Sequence, residues 1–153
     1  MSVKKKGSYI LIIQLEDDKK IFVGKLGKID FKKGYYVYVG SAMNGLKQRL
    51  QRHLRSQKKT HWHVDYLTSQ AKITNIFLKL SNHKQECKIA QTLAAKLSAI
   101  TEFGCSDCKC KSHLFYGSYK EIKNVVKKLQ MTEYFNINKK KESVISPTKA
   151  IFV

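Results

Sequence analysis

The chain is short of acid. Its 153 residues hold 11 Asp and Glu against 30 Lys and Arg, a formal net charge of +19. It also has no apolar run approaching the ~20 residues that a membrane-spanning helix needs. Its start, MSVKKKGSYILIIQL, carries no signal-peptide cleavage pattern. Neither a lipidation motif nor a long basic amphipathic helix is present, which argues against a membrane partner. These absences predict a soluble, cytoplasmic protein. With only four cysteines in that setting, a disulfide scaffold is not expected. There is no internal repeat, and low complexity is confined to Lys4–Lys6 and Lys139–Lys141.

What is there suits one globular domain. Apolar residues make up 42% and charged residues 27%, enough apolar surface for a core without covalent staples. The cationic excess costs self-repulsion and favours a polyanionic partner. Nucleic acid is the first expectation, because neutralising phosphates releases condensed counterions. A merely adhesive basic surface is the plainer alternative. No protein partner is indicated.

Ser8–Leu15 is apolar on both alternating faces and predicts a central strand. Lys20–Val23 resumes a strand-like pattern, and Gly34–Gly40 (GYYVYVG) is a second strong strand. Over Asn44–Ser56 the period changes: Leu46, Leu50 and Leu54 form one stripe of an amphipathic helix. His61–Leu67 reads as a short helix, Ile73–Leu80 as a strand, and Lys84–Leu97 as a helix with Ser81 and Asn82 as capping candidates. Thr101–Ser112 is a cysteine-bearing loop, followed by a strand at His113–Gly117 and a helix at Tyr119–Leu129. The expectation is an α/β (α+β) domain, a small mixed sheet flanked by helices, over residues 7–130. Residues 131–153 form a basic tail, flexible or separately docked.

Arg49 and His53 are four apart and share a helix face beside the leucine stripe. A partly desolvated arginine there suits a phosphate clamp, and an ordinary solvated flank is the alternative. Tyr36 and Tyr38 share a strand face that ends at Gly40, which permits close approach of a ligand. Glu86 projects onto the apolar stripe of its helix at the N-terminal end. It is either a cap-region carboxylate or a metal ligand. Cys105, Cys108, Cys110 and His113 place four soft or borderline ligands within nine residues, with Cys87 as a further candidate. Zn2+ suits these atoms, yet zinc sites usually draw on two separated pairs, so reduced structural cysteines stay open.

Together, Gly7-Ser8-Tyr9, Tyr38-Val39-Gly40, Arg49, His53 and Glu86 resemble the GIY-YIG nuclease superfamily. From Gly7 to about Gly117 the chain looks closer still to a branch of it sometimes fused to endonuclease III-like repair enzymes. The segments shared with that branch are Gly40-Ser41-Ala42, His61-Trp62-His63-Val64-Asp65-Tyr66-Leu67 and Gly104–Cys110 with Ser112-His113. The resemblance implies a divalent-metal-dependent endonuclease acting on DNA, in repair or on structured substrates. Tyr9 and Tyr38 would frame the site, one of them helping to deprotonate or orient the attacking water, Arg49 would bind the scissile phosphate, and His53 would assist proton transfer or phosphate positioning. Glu86 would hold one Mg2+ (or Mn2+). Gly40, Ser41, Lys47, Arg52, Arg55, His61, His63 and Asp65 would contribute to the substrate cleft. A neutral tyrosine, with a pKa ordinarily near ~10, is a poor base unless a cation stabilises its phenolate. The chain departs from the superfamily in reading GSY at the first motif and in a hairpin-like insertion at Lys19–Lys33. A late asparagine is also expected near the site, with Asn124 as candidate. The alternative is a module on the same fold that binds nucleic acid, or docks a partner, without cutting.

Overall fold

The computed structural model describes residues 5–56, 58–104 and 110–139. The first strand, β1 (Gly7–Leu15), is the spine. Tyr9, Leu11, Ile13 and Leu15 point to one face and Ile10 and Ile12 to the other, and all six are buried. A strand apolar on both sides is stable only between two layers. It therefore lies inside a six-stranded sheet, flanked by β4 (Gly34–Ala42) and β5 (Lys72–Leu80). Outside β4 come β7 (Leu114–Gly117) and the two-residue β6 (Ser98–Ala99). Outside β5 lies β8 (Thr132–Asn136).

Helices α1 (Leu46–Leu54) and α2 (His63–Thr68) cover one face through Leu46, Leu50, Val64 and Leu67. Helices α3 (Glu86–Ala94) and α4 (Tyr119–Lys128) cover the other through Ile89, Leu93, Ile122 and Val126. Ser118 and Glu121 form a reciprocal capping box that starts α4.

The α+β class, helices over a small sheet, holds. The sheet itself is antiparallel at every pairing rather than mixed. The α1–α2 connection carries the chain from β4 across β1, so the two like-directed strands never become neighbours. The insertion at Lys19–Lys33 is a separate hairpin, β2 (Lys19–Phe22) with β3 (Lys28–Phe31). It packs on α2 through Phe22 and Tyr66, and on Phe103 through Phe31. Ser81 and Asn82 do not cap α3: the helix starts later, after Gln85, and Ser81 Oγ instead accepts from the His83 N–H at 3.1 Å.

The boundary at residue 130 is also corrected. Thr132–Asn136 belongs to the sheet, and Tyr134 and Phe135 enter the same core. A register shift opposite Ile76 and Phe77 puts these consecutive residues on one side. Such a bulge erases the alternation by which a strand is recognised. Lys139 is the last described residue, and the rest of the lysine run lies outside. Tyr134→Ala is expected to cost about 3 kcal/mol in urea unfolding, as for other buried aromatics. Thr132→Ala, exposed on the same strand, should cost less than about 0.5 kcal/mol. Equal effects would mean that β8 contributes nothing to the core.

Candidate functional site

At one end of β1 the sheet opens into a cleft of about 290 Å3. Its walls carry Tyr9 from β1, Tyr38, Gly40 and Ser41 from β4, Arg49 from α1 and Glu86 from α3. Glu86 arrives from the layer opposite to α1, because α3 begins just past the end of the sheet.

Tyr9 and Tyr38 are diagonal neighbours with ring centroids 6.4 Å apart. Tyr9 lies over Gly40: a Cβ there would meet its hydroxyl at 2.6 Å and its ring at 2.7 Å, so no larger residue fits without moving the tyrosine. The Tyr9 hydroxyl is 2.8 Å from His53 Nε2, and the two rings are 5.2 Å apart. His53 is buried, and among the described residues its Nδ1 has no hydrogen-bond partner. Two neutral tautomers satisfy the Tyr9 bond. With Nε2–H donating to Tyr9, the unpartnered Nδ1 carries only a lone pair, a smaller loss than a buried unpaired N–H.

Burial drives both groups to their neutral forms. It lifts the Tyr9 phenol to about 12 even though the Arg49 guanidinium pulls the other way. It presses the His53 imidazole down to about 3 against the opposing field of Asp65. Burial also raises Tyr38, with Tyr9 and Glu86 adding to the shift.

Arg49 is held from two sides. It donates to the Ser41 carbonyl at 3.0 Å and stacks on Trp62, 4.3 Å from the ring centroid. Arg52 lies at the same distance from that ring. Trp62 stays in place because the Asp65 carboxylate accepts its backbone N–H and that of His61, each at 2.9 Å. Arg52 pairs with Asp65 at 2.9 and 3.1 Å. Burial works to raise the Asp65 carboxyl, but Arg52 and the two N–H groups outweigh it and hold it below the usual range.

The proposed substrate residues therefore separate. Gly40, Ser41, His61 and His63 line the cleft. Arg52 and Asp65 do not: they form an ion pair, buried at the carboxylate, that ties α1 to α2. Spacing alone cannot tell such a lock from a cleft rim. Lys47 is exposed on α1, away from the cleft wall. Arg55 is also exposed and joins Arg52, Lys58 and Lys59 in a cationic patch that meets the cleft at His61. Asn124 is exposed on α4, on the far side of the sheet. None of the Lys19–Lys33 insertion lines the cleft.

Lys84, Gly104 and Trp62 line the cleft although the sequence had not assigned them to it. His63 Nδ1 accepts the Gly104 N–H at 2.9 Å, so this histidine braces the cysteine loop. Gly104 sits at φ +75°, against Tyr38, where a side chain would be strained. Cys105 and Cys108 lie outside the described residues. Cys110 and His113 do come together, and Cys87 completes a group able to hold a metal ion. His113 Nδ1 is 4.0 Å from the Glu86 carboxylate.

His53 makes stability pH-dependent. Its folded value of about 3 lies below the ~6.5 of an unfolded histidine. The unfolded chain therefore protonates first, and stability present above pH ~6.5 is lost as the pH falls. Between pH 7.5 and 5 this group accounts for a loss of about 2 kcal/mol. Asp65 acts in the same direction only below about pH 4. Urea midpoints at the two pH values test this: His53→Gln should remove about 2 kcal/mol of the wild-type difference. An undiminished difference would show that His53 titrates normally.

Comparison with curated proteins and with solved structures finds no match. Among family profiles, that of the domain of unknown function DUF123 matches residues 8–134. No helix among the described residues is long and apolar enough to cross a membrane. From its core strand β1 to the buried Tyr134 of β8, the chain belongs to the DUF123 family.

Proposed function

We propose that the cleft hydrolyses phosphodiester bonds in DNA with one divalent cation, as the resemblance to GIY-YIG nucleases implies, and that the protein acts in the cytoplasm. One observation carries this reading. Tyr9, Tyr38, Arg49 and Glu86, from four separate elements, line one cleft, and His53 bonds the Tyr9 hydroxyl beneath it. The net charge of +19 supports a polyanionic substrate.

Glu86 fits a hard cation. It is a single carboxylate whose side chain is 22% exposed to the cleft, and Mg2+ or Mn2+ is usually held by one or two carboxylates together with water. Zn2+ suits the nearby thiols better. When bound at Glu86, the cation supplies positive charge that neutralises the phosphoryl oxygens and the leaving oxygen.

The remaining steps belong to the chain. Arg49, fixed by Ser41 and Trp62, presents a guanidinium to the phosphate without needing to reorganise. The Tyr9 oxygen orients the attacking water. To accept its proton, Tyr9 must first ionise, and both Arg49 and a donating His53 Nε2–H lower that cost. Tyr38 walls off the opposite side. The rate should therefore climb about tenfold per pH unit from pH 6 to 8, since the base ionises well above that range. Burial that lifts the Tyr9 phenol to about 12 makes its ionisation costlier than that of an ordinary tyrosine, and this favours a binding module as the second reading.

Cleavage of plasmid, single-stranded, branched and abasic DNA and of a structured RNA, with Mg2+ or Mn2+, decides between them. Cutting of DNA should be lost in Glu86→Ala and Tyr9→Phe and fall at least about 100-fold in Arg49→Ala. Equal cutting by wild type and variants would contradict the assignment. Salt-sensitive binding without cutting would leave a binding module. In binding titrations, Arg55→Ala and Lys59→Ala should each flatten the salt dependence by about one unit of slope, without changing sequence preference.

A further inference from the structure

Next to Glu86 stands a second cluster, whose His113 also lines the cleft, that phosphodiester hydrolysis does not use. Cys87 is the second residue of α3, and Cys110 and His113 stand in the segment entering β7. One ligand atom from each lies within 4.8 Å of the other two. A tetrahedral zinc with bonds of about 2.3 Å to sulfur and 2.0 Å to nitrogen spaces its ligands roughly 3.5–3.8 Å apart. Closure therefore shortens the separations by at most about 1.3 Å, within the reach of side-chain rotation.

Two of the three ligands stand on fixed backbone. Cys87 is within a helix. His113 is locked at both main-chain groups: its N–H donates to the Phe103 carbonyl at 2.8 Å, and its carbonyl accepts the Val39 N–H at 3.0 Å. Its side chain is nearly fully buried, while both thiols are half-buried.

We infer that Cys87, Cys110 and His113 form a thiolate–imidazole metal centre for a Zn2+-class cation, adjoining the carboxylate site in the cleft without using Glu86 as a ligand, and that it fixes the cleft wall by joining α3 to the entry of β7. Two thiolates and a neutral imidazole balance a divalent charge and select a borderline-soft ion over Mg2+. Binding releases the two thiol protons. The link spans two segments far apart in sequence, at the residue next to Glu86 and at the histidine 4.0 Å from it. Its effect on the cleft is one of positioning. The inference does not rest on the nuclease reading, because its readouts are metal content, spectrum and stability.

The test uses the full chain, purified without chelator. Elemental analysis should find about one zinc per chain. After removal of zinc, added Co2+ should give a thiolate-to-cobalt charge-transfer band and the intense visible bands of a tetrahedral ion. Cys87→Ser and Cys110→Ser should each lose the bound zinc and the charge-transfer intensity while keeping the far-UV circular dichroism of the wild type. Glu86→Gln should retain both. Stripping the metal should lower the thermal midpoint of the wild type but not of Cys87→Ser. No zinc and no thiolate–cobalt band in the wild type would overturn the inference. So would a band unchanged in Cys87→Ser, or one lost in Glu86→Gln.

Discussion

The cleft depends on one buried carboxylate. Asp65 accepts the His61 and Trp62 N–H groups and pairs with Arg52, so it joins the end of α1 to the start of α2. Trp62 is thereby held against Arg49, and its ring lies 5.8 Å from that of His53. His53 in turn holds the Tyr9 hydroxyl. Removing one partner of such a pair leaves an uncompensated buried charge, typically about 3 kcal/mol or more. The damage would spread from the lock to the cation and the phenol that face the cleft.

The second constraint is β1. Because it is apolar on both sides, helices must cover both faces, and the two layers meet only at the ends of the sheet. There, α1 supplies the guanidinium and the imidazole, while α3 supplies the carboxylate. The anionic group and the cationic one thus reach the cleft from opposite layers, 37 positions apart in sequence, with two tyrosines between them. Burial keeps that middle neutral: the phenols are raised and His53 is lowered. Charge is concentrated at the rim, where a phosphate and its counter-cation would sit.

Much of this was legible in the residues. The two-faced apolar run gave β1 its central place, and the leucine stripe placed Arg49 and His53 together on α1. What sequence could not supply was long-range pairing. The bulge in the β5–β8 ladder puts Tyr134 and Phe135 on one side and hides a strand in what reads as a tail. Arg52 and Asp65 carry the right charges for a substrate rim, but their mutual hydrogen bonds make them a brace. The cysteine pattern pointed to a loop site with Cys87 as a further candidate. The folded chain brings Cys87 from a helix to Cys110 and His113, while Cys105 and Cys108 lie outside the described residues. The spacing alone could not single out Cys87, because its approach depends on how α3 packs against the sheet.

The most direct test is a crystal structure of the protein with Mn2+ and a short DNA strand, read by anomalous scattering. An anomalous peak is expected at the Glu86 carboxylate and a backbone phosphate on the Arg49 guanidinium, with the Tyr9 hydroxyl facing that phosphate. DNA bound elsewhere, or manganese absent from Glu86 while phosphate occupies the cleft, would contradict it.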